Sequence, residues 1–296
     1  MLGWRIVAKK QLDIGAWNAC VRNSTNEHIY GYSWYLDAVA PKWVAMGFGK
    51  YEQVIPVPVK QKLGISYIFQ PEFYQRTSIF SSELAKNVQE LRQLISSEFI
   101  KIDLTSTNEM FDASHSLNNI VLKYNKAPFK WSTNTERNIK KALKKGLVYS
   151  RGGKQDVESV IEMFVENTRF KLSSEFSTNL LQLTGILKAN DCLEVRKIEL
   201  DQSNFAYALF AKSVKRITLL LLASTDEGKK NGASHLLISN AIKEFSNQVE
   251  IFDFEGSQNP GISRFYLGFG GEVEHYYHYS QKMQKAVIRR IIGSGK

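Results

Sequence analysis

The apolar positions of this 296-residue chain follow two rhythms, and the order in which they alternate occurs twice. "AWNACVRNS" spaces its apolar residues as a helix does, and "GYSWYLDAVAP" reads as a short helix stopped by Pro41. "KWVAMGFG" and "YEQVIPVPVK" read as strands joined near Gly49 and Lys50. Pro56 and Pro58 cannot donate to a ladder, which places the second strand at a sheet edge or a bulge. "GISYIFQP" is a further strand. "SSELAKNVQELRQLISSEF" sets Leu84, Val88, Leu91 and Ile95 on one helical face behind serine caps. "FIKIDLT" and "NNIVLKYN" follow as strands.

After Pro128 the series begins again. "STNTERNIKKALKKG" is a helix with cap residues at its start and Gly146 at its end, and its Ile139 and Leu143, four apart, are expected to pack while Lys141 and Lys144 face water. "LVYSRG" is a strand, and "KQDVESVIEMFVENTRFK" and "STNLLQLTGILKAN" are helices. Three strands come next, "CLEVRKIEL", "NFAYALFAK" and "RITLLLLAST". The helix "GASHLLISNAIKEFS", the strand "VEIFDFEG", the short helix "PGISRFYLG" and the strand "GEVEHYYHYS" complete the order. No residue-level repeat accompanies this duplication of elements. The expected architecture is α/β with mixed sheets, in two domains, 1–130 and 131–296.

Composition narrows the partners. Lys and Arg number 39 against 29 Asp and Glu, a net charge of +10 that favours anionic partners without choosing among them. Cys20 and Cys192 are far apart, which argues against a disulfide scaffold and for a reducing compartment. The five histidines form no metal-binding motif; His275 and His278, three apart on a strand, face opposite sides, so no metal is expected. The first residues, MLGWRIVAKKQLD, lack a signal-peptide core, and no window approaches ~18 apolar residues, so a soluble cytoplasmic protein without a membrane span is expected.

Three stretches carry candidate chemistry. "RITLLLLAST" is apolar enough for a strand covered on both faces and leads into a polar loop and a helix starting near Gly232. Strand, loop and helix start make an anion site, because the first N–H groups of a helix lack partners and its dipole is positive there. Its candidates are Ala223 and Thr225 at the strand end, Lys229, Lys230, Asn231 and Gly232 in the loop, and Ala233 and Ser234 beyond it. In "FDFEGSQNPGISRFYLGFGG", Asp253 and Glu255 stand two apart at a strand end, either as site carboxylates or as a cap on the following loop. Ser257 or Asn259 would cap the next helix, whose Ile262, Phe265, Tyr266 and Phe269 form an apolar stripe. "ERNIKKALKKG", with Arg137 and like-charged pairs four apart, is either a solvated face or a face for donor phosphates or tRNA. The tail "QKMQKAVIRRIIGSGK" is also basic.

The order from Arg216 to Tyr279, with "DFEGS…FYLGFG", resembles the GNAT acyltransferases. With "TERNIKKALKKG" and "YGYSWYLDAVAPKW", the whole chain resembles the FemABX-like acyltransferases, which carry two GNAT-like domains in tandem. The resemblance implies transfer of an acyl group, with acetyl-CoA or another acyl-CoA as donor, to a small-molecule or peptide amine. It also admits aminoacyl-tRNA as donor and a cell-wall precursor as acceptor, or a binding module with a degenerate site. Glu255 and Asp253 would then receive the amine proton, and Tyr266 would protonate the leaving group. The family's loop spacing, Arg or Gln, then Gly, then Gly or Ala, falls here on Lys229, Gly232 and Ser234, a departure at the last position. The first half has no glycine-bearing loop of this kind, so it is expected to be a non-catalytic partner supplying acceptor contacts through Trp34, Tyr35 and Gln70.

Overall fold

The computed structural model describes residues 3–282 apart from 41, 63–64, 110–114, 127, 154 and 257. The basic tail from 283 onward and the candidate cap Ser257 lie outside the described residues. The chain divides into two compact units: the first ends at Leu117, the second runs from Asn118 to Glu274, and the chain returns to the first from His275. The expected boundary near 130 thus moves back to a point inside a strand, and the closing strand is shared. The pattern of elements repeats after Pro128, but a contact boundary depends on which strands pair, and pairing is not visible in a local pattern.

The first unit holds β1 (Trp4–Val7), α1 (Ile14–Asn23), α2 (Ser33–Val39), β2 (Trp43–Phe48), β3 (Gln53–Lys62), β4 (Ile65–Ile68), β5 (Phe80–Ser81), α3 (Val88–Glu98) and β6 (Lys101–Ser106). Its sheet has the order β1-β2-β3-β4, with β5 also on β3. The strand with the prolines is therefore not an edge. β5 pairs with it at Gln53–Val54 and β4 from Val59, so Pro56 and Pro58 fall in the gap between them. Their carbonyls meet the Thr77 hydroxyl and the Phe69 N–H, and no ladder N–H is missed. α3 starts at Val88, later than its pattern suggests: Asn87 is left-handed at φ 53° and Leu84 is exposed.

β7 (His115–Lys123) leads into the second unit, which contains α4 (Thr133–Lys144), β8 (Val148–Arg151), α5 (Asp156–Asn167), α6 (Phe176–Ala189), β9 (Leu193–Leu200), β10 (Ser203–Lys212) and β11 (Arg216–Ser224). Then come α7 (Asp226–Lys230), α8 (Ala233–Phe245), β12 (Ile251–Asp253), α9 (Pro260–Leu267) and β13 (Glu272–Lys282), which takes the chain back. The strand order is β7-β12-β11-β10-β9-β8, antiparallel except that β11 and β12 run parallel. α8 lies on β9, β10 and β11 and against α4, while α5 lies on β10 and β11. Phe210 of β10 is the hub of the core, with Phe245 and Phe252 edge-on to it, each at 5.7 Å. No helix among the described residues is long and apolar enough to cross a membrane.

α4 begins where its cap predicts, with the Ser132 hydroxyl accepting from Thr135 N–H at 3.2 Å. Its buried face is different from the expected one. Thr135 and Ala142, two turns apart, are buried, Ile139 is half-buried, and Leu143 is 58% exposed. A small Ala at the contact lets α4 approach α8 closely, which a leucine face would prevent. Lys141 and Lys144 are exposed, as their position on the far side requires.

Candidate functional site

The cavity of the second unit originates in a mismatch between two parallel strands. β12 pairs with β11 only over Arg216–Thr218. Past that point Phe254 N–H bonds to Ile120 of β7, so the chain follows β7 away from β11. On the other side, the β10–β11 register slips: Phe210 faces Leu219 and Leu209 faces Leu221, leaving Leu220 as a bulge. A bulge bends and over-twists its strand, and this one lies where the partner departs. The gap between β11 and the end of β12 is a cavity of about 500 Å³. Leu220 and Leu222 form part of its wall, Phe254 and Glu255 another, and Ile262, Phe265 and Tyr266 of α9 a third. An adjoining opening of about 590 Å³ shares Phe164, Phe170 and Lys229 with it and adds Asn167 and Arg169.

Glu255 sits at this cavity in a left-handed conformation, φ 55°. A glutamate seldom adopts that conformation, and the surroundings must hold it there. Its N–H donates to Asp253 Oδ1 at 2.8 Å, closing the turn. Gly256 follows at φ 44°, and a Cβ there would lie 2.5 Å from the Asn118 carbonyl oxygen, so only glycine fits. Asn259 then caps α9, accepting from the N–H groups of Gly261 and Ile262.

Asp253 does not share this exposure. It is 1% exposed, and its carboxylate accepts from Arg216 Nη1 at 2.5 Å and from Asn119 Nδ2 at 3.0 Å. Arg216, also buried, meets Glu274 at 3.4 Å. Burial alone would lower the guanidinium's affinity for its proton, but the charges of Asp253 and Glu274 raise it. The expectation that Asp253 receives a substrate proton is therefore corrected: its charge is committed to Arg216, and it is a positioning residue for Glu255.

Tyr266 is buried with its ring stacked on Phe254, centroids 4.8 Å apart. Burial, and secondarily the charge of Glu255, raises its phenol well above the ordinary tyrosine range, so it is protonated at neutral pH. His235 completes the site, and sequence reasoning assigned it no role. It is the third residue of α8, lines the cavity, and stands edge-on to Phe265 at 4.7 Å. Burial pushes its imidazole down to about 4, leaving it neutral at pH 7. The one sequence signal for it was its place three residues after Gly232.

No protein-family model matches the sequence, and no curated protein is similar to it in sequence. Solved structures are similar in fold. FemX aligns over 97% of this chain and 99% of its own, with a TM-score of 0.69 at 11% identity. A tandem GNAT protein from the clavulanic acid biosynthesis pathway aligns over 95% and 98%, with a TM-score of 0.52 at 8% identity. The fold is the tandem GNAT fold. L-PGS from Bacillus licheniformis is similar over 95% of this chain and 96% of its own, with a TM-score of 0.56 at 10% identity.

Within this tandem GNAT fold the loop after β11 is not the open cradle expected. Asp226–Lys230 is a turn of helix capped by Thr225, whose hydroxyl accepts from Gly228 N–H at 2.9 Å. The N–H groups of Lys229, Asn231 and Gly232 bond to Thr225, Glu227 and Lys229 carbonyls. What stays open is the start of α8, at Ala233, Ser234 and His235, whose N–H groups have no partner within the helix. Gly232, at φ 77°, tolerates the approach of the Asn138 carbonyl, which a Cβ would meet at 2.3 Å. Of the loop candidates, Lys229 and Ser234 line the cavity and Ala223 lines the adjoining opening, while Thr225, Lys230, Asn231, Gly232 and Ala233 line neither. Lys141 Nζ binds the Lys230 carbonyl at 2.6 Å, and Lys145 pairs with Glu227 at 3.6 Å, so the basic face of α4 borders the loop. Arg137 is exposed there, held by Asn134 Oδ1 at 2.8 Å.

The acceptor candidates of the first unit are occupied structurally. Tyr35 is fully buried with its hydroxyl on the Phe73 carbonyl, and Gln70 Oε1 accepts from both the N–H and hydroxyl of Thr105. Trp34 stacks on Tyr32 at 5.5 Å. Tyr35 belongs to the first unit's interior while Trp34 is half-buried, and the cavity is lined by second-unit residues alone.

Proposed function

We propose that the second-unit cavity transfers an acyl group from an activated donor to an amine. The observation that supports this is the joint presence of Glu255, His235 and Tyr266 around the gap left where β12 parts from β11. An amine is mostly protonated at neutral pH and must lose its proton to attack. Glu255, or the neutral His235, accepts that proton directly or through water. The nitrogen then forms a bond to the acyl carbon, the carbon–sulfur or carbon–oxygen bond of the donor breaks, and Tyr266 returns a proton to the leaving group.

The donor is either an acyl-CoA or an aminoacyl ester of tRNA. The closed hydrogen bonds of α7 leave the first N–H groups of α8, at Ala233, Ser234 and His235, as the backbone that the phosphates of either donor would meet. The α4 and α7 lysines beside the loop supply charge for the phosphates of either donor.

Incubation with labelled acetyl-CoA or labelled aminoacyl-tRNA and a panel of amines tests the reading. Label appears in an amide with one donor and falls ~100-fold or more in Glu255→Gln. Absence of transfer from both donors overturns it and leaves a binding module.

A further inference from the structure

We propose, resting on the reading of this cavity as the transfer site, that one of its two substrates brings a neutral apolar body much larger than an acetyl group. Phe164, Phe170, Leu222 and Ile262 line both the cavity of about 500 Å³ and the adjoining opening of about 590 Å³. They form one apolar stretch that runs from the space beside β11 out to the surface. Phe164, Leu222 and Ile262 are half-buried, and Phe170 is 55% exposed, so this stretch still has apolar surface to cover. Removing such surface from water is favourable in proportion to its area. Cavities of this size hold whole small molecules, and an acetyl group covers only a small part of these walls.

The polar groups around the stretch do not call for a charged ligand along it. Glu255 lines the cavity but not the adjoining opening, so the apolar stretch continues past the carboxylate's wall. Lys229, on α7, lines both spaces, and its ammonium is bound to Asp226 Oδ1 at 3.2 Å and the Asn167 carbonyl at 3.3 Å. The Ser224 hydroxyl donates to the Phe205 carbonyl at 3.0 Å. His235, on α8, is neutral at pH 7, and Tyr266, on α9, keeps its proton, both because they are buried. Glu166, Arg169 and Asp226 stand at the adjoining opening with their side chains in water. Charge is thus paired, at the rim, or on the Glu255 wall, and the stretch between is apolar. Each methylene that enters it improves affinity about fourfold.

Ligand-observed NMR titration of the full chain with 1-butanol, 1-pentanol and 1-hexanol tests this without requiring turnover. Affinity rises about fourfold with each methylene, and Ile262→Trp, which fills the wall shared by the two spaces, abolishes the rise. A flat series, or a rise that persists unchanged in Ile262→Trp, overturns the proposal. Should Ile262→Trp fail to fold, Phe170→Ala decides: it weakens 1-hexanol more than 1-butanol, and unchanged binding of both overturns the proposal. Transfer assays then separate the two sources of the apolar body. With one amine, hexanoyl-CoA exceeds acetyl-CoA in kcat/KM, or leucyl-tRNA exceeds glycyl-tRNA, when the body is the acyl group. With one donor, hexylamine exceeds ethylamine when it belongs to the acceptor. If the alcohols bind as described yet no donor acylates any amine, the transfer reading fails while the apolar site stands. If transfer occurs with no preference for length on either side, the transfer reading stands and the proposal fails.

Discussion

Replacing Asp253 with Asn isolates the group that holds the open end of β12 in place. The substitution keeps the shape and removes one charge from a cluster in which Arg216 and Asp253 have side chains 6% and 1% exposed. Two unit charges about 4 Å apart at an effective dielectric of about 20 attract by about 4 kcal/mol, and deleting one partner of a buried pair costs about 3–5 kcal/mol. Glu274 remains beside Arg216, but its contacts are longer, 3.4 Å against 2.5 Å, and its side chain is 28% exposed. It offsets part of the loss, which places Asp253→Asn near the lower end, about 3 kcal/mol. Glu274→Gln, more solvated, costs about 1 kcal/mol or less. Guanidinium unfolding followed by far-UV circular dichroism at neutral pH measures both. The double variant R216M/D253L removes both charges and loses much less than the sum of its single changes, because no charge is left buried alone. The reasoning is refuted if Asp253→Asn lies within about 1 kcal/mol of the parent, or if the two acidic variants cost the same.

Three further outcomes follow from the same geometry. Tyr266→Phe keeps the stack on Phe254 and removes the hydroxyl, so turnover falls ~100-fold or more while stability changes by no more than about 1 kcal/mol; unchanged turnover would make the phenol purely architectural. Gly232→Ala places a Cβ against the Asn138 carbonyl at a positive φ, costs about 1–3 kcal/mol in thermal unfolding, and weakens the α4–α8 contact; a neutral result contradicts the close approach. His235 titrates near 6.5 when unfolded and about 4 when folded, so its contribution to stability is present above about pH 6.5 and lost as pH falls through about 4. The parent therefore weakens across that window, and His235→Gln lacks this component; identical pH profiles for the two proteins would remove the burial argument.

Much of the architecture follows from local rules. The Ser132 cap, the Gly146 stop and the Asn259–Pro260 start all act within one helical turn, so the sequence alone places them. Glu255 stood out as one of two carboxylates at a strand end, with a structural cap as the equal alternative, while Tyr266 read first as part of an apolar stripe and had an acid's role only through the resemblance to the GNAT acyltransferases. The loop after β11 was misjudged in detail: "TDEGKK" reads as polar loop, yet Thr225 and the two acidic residues after it make a capped first turn, a signal that was present and outweighed by composition.

The sequence by itself determined the alternation of helices and strands, the duplicated order, and the residue types available at the end of β12. Tertiary structure alone decided what those residues do. Asp253 and Glu255 are two apart and share a charge, yet one is sealed against Arg216 from another strand while the other faces a cavity. In "RITLLLLAST" any leucine is as good a bulge as the next, and the position falls on Leu220 because β10 slips there and β12 leaves. His235 becomes a buried, neutral imidazole at the cavity only when α9 brings Phe265 against its ring. Each of these depends on partners distant in sequence. Burial and charge pairing act through space, and a local pattern carries no record of which distant strand or helix will supply the neighbour.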